Sequence, residues 1–204
     1  MLRRSIFAGY ESRREYDEER DLDCIVDWMS SISYFAADKL PVVLENRENI
    51  LEEGVRAYKA FDRIPFTAPY HLFHRNLKVE LRGDYEDESN PILNRLEFFE
   101  LFFTAALRTN DYFMRNPEGR LIFADNDNLT EQDMDFYEAF GFYLAKVFQS
   151  NLSTGLELHL LPQIVQVIKT GKTTASFPLK WRCQALMLAL GFVRACPAFI
   201  LDTY

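Results

Sequence analysis

A chain of 204 residues with a formal net charge of -8 and an isoelectric point near 5.0 is long enough for one sizeable hydrophobic core, with at most a smaller appendage. It is too acidic for a general nucleic-acid surface, because phosphate binding rests on clustered Lys and Arg. The content of 48% hydrophobic and 15% aromatic residues, with eight Gly and eight Pro, excludes a disordered or fibrous chain.

The short basic runs Arg3-Arg4, Arg13-Arg14 and Lys169 to Lys172 are scattered and read as solvated faces. Ser5 to Tyr10 is too short an apolar stretch for a secretory signal, so no export is expected. From Glu11 to Asp23 the residues are almost all charged or polar, then pass into Ile25, Val26, Trp28 and Met29, which suggests a helical arm over residues 1–40 whose end docks. Pro41 is placed like a first-turn proline, with Leu44, Leu51, Val55, Tyr58 and Phe61 forming a helical stripe behind it. Glu45, Arg47, Glu48 and Glu52 face water in that reading, and Pro65 and Pro69 stop the helix.

Leu77 to Arg82 alternates apolar and charged residues, the period of a strand with one buried face. Asp84 to Glu88, Asn90 and Pro91 form an exposed acidic loop. Leu96 to Leu107, with Phe98, Phe99, Phe102 and Phe103, is apolar almost all round and belongs in the middle of a fold. Asn116-Pro117-Glu118-Gly119 signals a turn before the short strand Leu121-Ile122-Phe123. Thr130 and Asp133 resemble a capping box ahead of the stripe Tyr137, Phe140, Gly141, Leu144 and Phe148. Pro162 to Gly171 reads as a further helix, Lys172 to Leu179 as a loop, and Lys180 to Arg194 as a last helix. Its apolar segment Ala185 to Val193 falls well short of the ~20 residues of a membrane span, so no membrane association is expected. The fold expected is mainly α with two or three short strands. Its parts are a charged arm over residues 1–40, a helical domain over 41–172, and a loop and apolar helix over 173–204 packed on that domain.

Candidate chemistry is sparse. His71 and His74 are spaced for one helical face, yet no third metal ligand lies near them in sequence, and Tyr70, Leu72 and Phe73 point to local packing. His159 stands alone in a leucine-rich stretch. Asp125 to Asn128 begins like a calcium loop, but Thr130 takes the glycine position and Phe136 the bidentate carboxylate position. The acids from Asp84 to Glu88 are consecutive, which does not drive two pKa values apart as acid and base work requires. Glycine-rich phosphate loops and Gly-x-Ser-x-Gly are absent. Cys24, Cys183 and Cys196 are odd in number, widely spaced and without a Cys-x-x-Cys, which supports neither a disulfide framework nor a zinc ribbon. A reducing compartment, cytoplasmic or nuclear, follows. Arg182 beside Cys183 favours a thiolate, and the apolar surroundings oppose it. No catalytic, cofactor-binding or metal-binding residue is assigned.

Taken in order, several segments resemble the first part of the N-terminal lobe of a HECT-type ubiquitin ligase, over about residues 41–172. They are the helix around Asn46 to Phe61, the strand Leu77 to Leu81 followed by Gly83-Asp84, and Glu97-Phe98-Phe99-Glu100-Leu101, which is similar to the family's Glu-Phe-Phe helix. Tyr112-Phe113 with Asn116 to Phe123 is like its hairpin. Phe136 to Gly141 with Leu144-Ala145, and Pro162 to Gly171, resemble its later helices. Pro91 and Ile92 lie near where the family has paired glycines, and Phe142 stands where an arginine is usual. Beyond Lys172 the match fades. Near Cys196, Pro197 and Ala198 replace the Phe and Asn of the family's cysteine motif. The resemblance implies a truncated, non-catalytic lobe that acts with a protein partner such as a ubiquitin-conjugating enzyme, ubiquitin or a ligase subunit, because thioester chemistry needs a transferable cysteine. The alternative is an unrelated helical protein-interaction module, its aromatics serving as contact anchors rather than core. A small-molecule enzyme with a pocket between helices is a third reading, and no convergent polar set in the sequence supports it.

Overall fold

The computed structural model describes residues 39–62, 76–81, 91–119, 121–126, 128–150 and 181–195. The elements run β1 (Lys39–Leu44), α1 (Ile50–Asp62), β2 (Asn76–Leu81), α2 (Pro91–Arg108), β3 (Phe113–Arg115), β4 (Leu121–Phe123), α3 (Glu131–Gln149) and α4 (Arg182–Ala195). The charged arm up to residue 38, the helix Pro162 to Gly171, the acidic loop Asp84 to Glu88, and His71, His74, His159, Cys24 and Cys196 lie outside the described residues. The described part is mainly helical, with two separate two-stranded sheets.

One expectation is corrected at the start. Pro41 does not open a helix, and Leu44 is not on its stripe. Both belong to β1, which pairs in parallel with β2 in the register Leu40↔Leu77, Val42↔Val79 and Leu44↔Leu81. Leu40, Val42, Leu44, Leu77 and Val79 are buried, while Pro41 and Lys78 point to solvent. A proline carries no N–H, and an edge strand of a two-stranded sheet accommodates that loss. α1 therefore starts at Ile50, after a 3-10 turn over Arg47–Asn49. Its entry is clamped by Glu53, whose buried carboxylate accepts from the backbone N–H of Glu45 (2.8 Å) and of Asn46 (3.2 Å), while Asn46 Oδ1 accepts from Glu48 N (2.9 Å). These bonds occupy main-chain donors of the connection that leads from β1 into α1.

The β1–α1–β2 crossover places the apolar side of β1 against α1 and that of β2 against α2. Asn94 fixes the second contact by donating to the buried Val79 carbonyl at 3.2 Å. α2 begins at Pro91, a compatible first-turn position, and ends near Asn110, which adopts the left-handed φ of 56° that Asn tolerates. The hairpin turns as expected. Gly119 takes a φ of 80° and donates to the Asn116 carbonyl at 2.8 Å, and β3 then pairs antiparallel with β4.

Aromatic rings fill the centre. Phe98, Phe99, Phe102 and Phe103 of α2 meet Phe136, Phe140 and Tyr143 of α3 and Phe113 and Phe123 of the hairpin, all fully buried or nearly so. Edge-to-face pairs such as Phe98–Tyr143 (5.0 Å) and Phe103–Phe140 (4.9 Å) set the ring orientations, each adding ~1 kcal/mol beyond area burial. The box at the start of α3 is formed as expected, with Thr130 N donating to Asp133 Oδ2 (2.9 Å) and Asp133 N to Thr130 Oγ1 (3.2 Å). α4 covers α3 at a glycine crossing. A Cβ on Gly141 would stand 1.9 Å from the Leu188 carbonyl oxygen, and one on Gly191 would stand 1.7 Å from the Glu138 carbonyl oxygen.

Candidate functional site

A groove of about 760 Å3 lies between the outer face of α1 and the first turns of α3. Its α1 wall carries Glu52, Val55, Arg56 and Lys59, a spacing of three, four and seven that brings them onto one helical face. Its α3 wall carries Glu131, Gln132, Asp135 and Phe136. Leu51, Val55, Tyr112 and Phe136 make an apolar floor, with Phe136 buried and the other three half-buried.

Three local features hold the walls in place. Tyr143 reaches from the interior of α3 and donates its hydroxyl hydrogen to the Gly54 carbonyl of α1 at 2.7 Å. Gly54 has no side chain where the Phe102 ring passes, since a Cβ there would stand 2.7 Å from that ring. At the floor, Tyr112 stacks on Phe136 with centroids 3.5 Å apart, and its backbone carbonyl accepts from the Tyr137 hydroxyl at 2.9 Å.

The electrostatics of the groove are asymmetric. Arg56 is engaged by Glu53 at 3.5 Å and Lys59 by Asp135, so each cation of the rim already has a carboxylate beside it. Glu52 and Glu131 are exposed and make no ion pair among the described residues. Burial pushes the Tyr112 hydroxyl above its ordinary pKa, and the charges of Asp133 and Asp111 push it further, so at neutral pH it stays a protonated donor. The described lining residues include no His or Cys. Such a surface can bind through apolar contact and charge.

A second polar constellation is structural. Arg194 of α4 donates to the Tyr58 hydroxyl of α1 (2.9 Å) and pairs with Glu138 of α3 (2.9 Å), joining three helices. Burial, then the Glu138 charge, holds the Tyr58 hydroxyl far above its ordinary pKa. At the start of α4, Trp181 Nε1 donates to Asp125 Oδ1 (3.1 Å), so this acid of the calcium-like stretch is occupied by an indole. Asn126 Oδ1 accepts from Asn128 N (3.1 Å), an ordinary Asx turn. Among the described residues no three His, Cys, Asp or Glu side chains cluster as metal ligands, and no helix is long and apolar enough to cross a membrane. Cys183 is a free, half-buried thiol in the first turn of α4 and does not line the groove. Farther along the same helix, Leu186 and Leu190 are each 40% exposed, one turn apart.

No residue of the groove stands out in the sequence as functional. Glu52 reads only as a solvent-facing acid and Val55 only as part of the packing stripe, because what makes them a site is the arrival of α3 about eighty residues later. The chain matches no protein-family model and no curated protein.

Proposed function

We propose that the chain is a non-catalytic helical protein-interaction module whose docking surface is the groove between α1 and α3. The observation that carries this reading is the composition of the groove. An apolar floor of Leu51, Val55, Tyr112 and Phe136 lies inside a charged rim, the pattern of an anchor pocket surrounded by polar contacts. The test immobilises the whole chain as wild type, Val55→Asp and Leu190→Glu, each shown by circular dichroism to be folded, and quantifies the proteins retained from a cell extract. Partners retained by wild type and by Leu190→Glu are expected to fall about tenfold or more on Val55→Asp, which places a carboxylate on the floor. Retention unchanged by Val55→Asp, or lost through Leu190→Glu instead, removes the groove as the docking surface.

A second reading, a lobe related to the HECT-type ligases, rests on the resemblance of the sequence. Its segments correspond to α1, β2, α2, the β3–β4 hairpin and α3. On this reading the chain contributes binding to a larger ligase and forms no thioester itself. Incubation with charged conjugating enzyme and ubiquitin is expected to leave Cys183 and Cys196 unmodified, and a reducible ubiquitin adduct on either would overturn the claim of inactivity.

A further inference from the structure

We infer that the groove between α1 and α3 receives a positively charged amphipathic helix of a protein partner, apolar anchors inward and Lys or Arg side chains over the rim. The inference deepens the docking reading above and rests on it. The shape argues for a helix. The α1 wall from Leu51 to Ala60 is about 14 Å long at 1.5 Å per residue, which accommodates two to three helical turns. The N–H and C=O groups in the interior of α1 are used within the helix, so that wall offers no unpaired main-chain row onto which an extended peptide could add as a strand. Recognition there falls to side chains, and Leu51, Val55, Tyr112 and Phe136 offer an apolar floor for the anchors of a partner helix.

Charge argues for the sign of the partner. Glu52, Glu131 and Asp135 line the groove against Arg56 and Lys59, and because Glu53 and Asp135 already engage these two cations, Glu52 and Glu131 are left, among the described residues, as the unpaired charges of the rim, with Asp111 and Asp133 near enough to act on Tyr112. The half-positive start of α3 is offset by Glu131 and Asp133 in its own first turn. An acidic partner would meet like charge along both walls, whereas a basic one gains encounter rate and register from the rim and leaves the anchoring to the floor.

The test displays a library of 16-residue helical peptides, with leucine fixed at three positions of helical spacing and the flanking positions random, and selects on the whole wild-type chain. Binders that Val55→Asp also retains are discarded. Winners are expected to be enriched in Lys and Arg over Asp and Glu, and to bind about tenfold more tightly than their Glu-for-Lys counterparts and than scrambled peptides of equal charge. Glu52→Lys combined with Glu131→Lys, which leaves the apolar floor intact, is expected to shift the selected flanks towards acids. Acidic or neutral winners that depend on Val55 overturn the charge inference and leave the docking reading standing. A selection that returns no Val55-dependent peptide overturns the helix inference, and the extract experiment then decides whether the docking reading falls with it. Equal binding of the scrambled peptides reduces the effect to attraction by the acidic chain as a whole, which also overturns the inference.

Discussion

At the scale of single residues, three tyrosines behave as core residues with a polar end. Tyr143 is fully buried and satisfied by the Gly54 carbonyl, Tyr137 by the Tyr112 carbonyl and Tyr58 by Arg194. Burial, as the leading cause, raises all three hydroxyls above their ordinary pKa. Below pH ~10 each is neutral both folded and unfolded, so its contribution to stability is fully present. Above pH ~10 the unfolded chain ionises these groups while the fold resists, and stability falls by up to ~1.4 kcal/mol per pH unit per tyrosine until the folded values are reached. Urea unfolding at pH 8, 9 and 11 is therefore expected to show a steady midpoint up to pH 9 and a drop by pH 11. Absorbance at 295 nm should show the phenolates of these three only as the fold opens, and a midpoint unchanged at pH 11 would contradict this account. How legible such residues are depends on separation along the chain. Thr130 and Asp133 lie three residues apart and their box is readable at once, whereas Tyr58 and Arg194 are 136 residues apart and no local pattern pairs them.

At the scale of elements, the crossing of α3 and α4 turns an ordinary propensity argument around. Alanine for glycine inside a helix normally stabilises by ~1 kcal/mol, since glycine loses more backbone entropy on folding. At Gly141 the added carbon would meet the Leu188 backbone at 1.9 Å, and backbone does not yield as a flexible side chain does. Gly141→Ala is expected to cost ~3 kcal/mol in urea unfolding, and Gly191→Ala a similar amount. The double variant should cost clearly less than the two together, because the first substitution already separates the helices and makes room for the second. Additive costs would mean that the two sites strain the fold independently. The same scale explains the misreading of Pro41. A proline's fixed φ suits both the first turn of a helix and an edge strand, and only the pairing of Val42 with Val79 decides between them. β2, β4 and the helical spans of α2, α3 and α4 are readable in the sequence because their period or their apolar runs are strong. β3 is not, being three residues long with Met114 and Arg115 exposed.

At the scale of the whole molecule, the mainly helical class follows from composition and stripes, and the groove does not. Its walls come from residues 51–60 and 131–136, and Tyr112 of the floor arrives from the start of the hairpin. Each wall segment on its own is an unremarkable amphipathic turn, and contacts between distant residues, such as those from Tyr143 to Gly54 and from Tyr58 to Phe142, make them neighbours. The same dependence on distant segments has a consequence for biosynthesis. Gly191 seats against the Glu138 backbone and Arg194 reaches back to Tyr58, so the seam is closed by nearly the last described residues to be translated. On the ribosome, the nascent polypeptide must carry the side of α3 around Gly141 uncovered until α4 has emerged. A chain arrested in that interval exposes apolar surface of the kind that promotes aggregation.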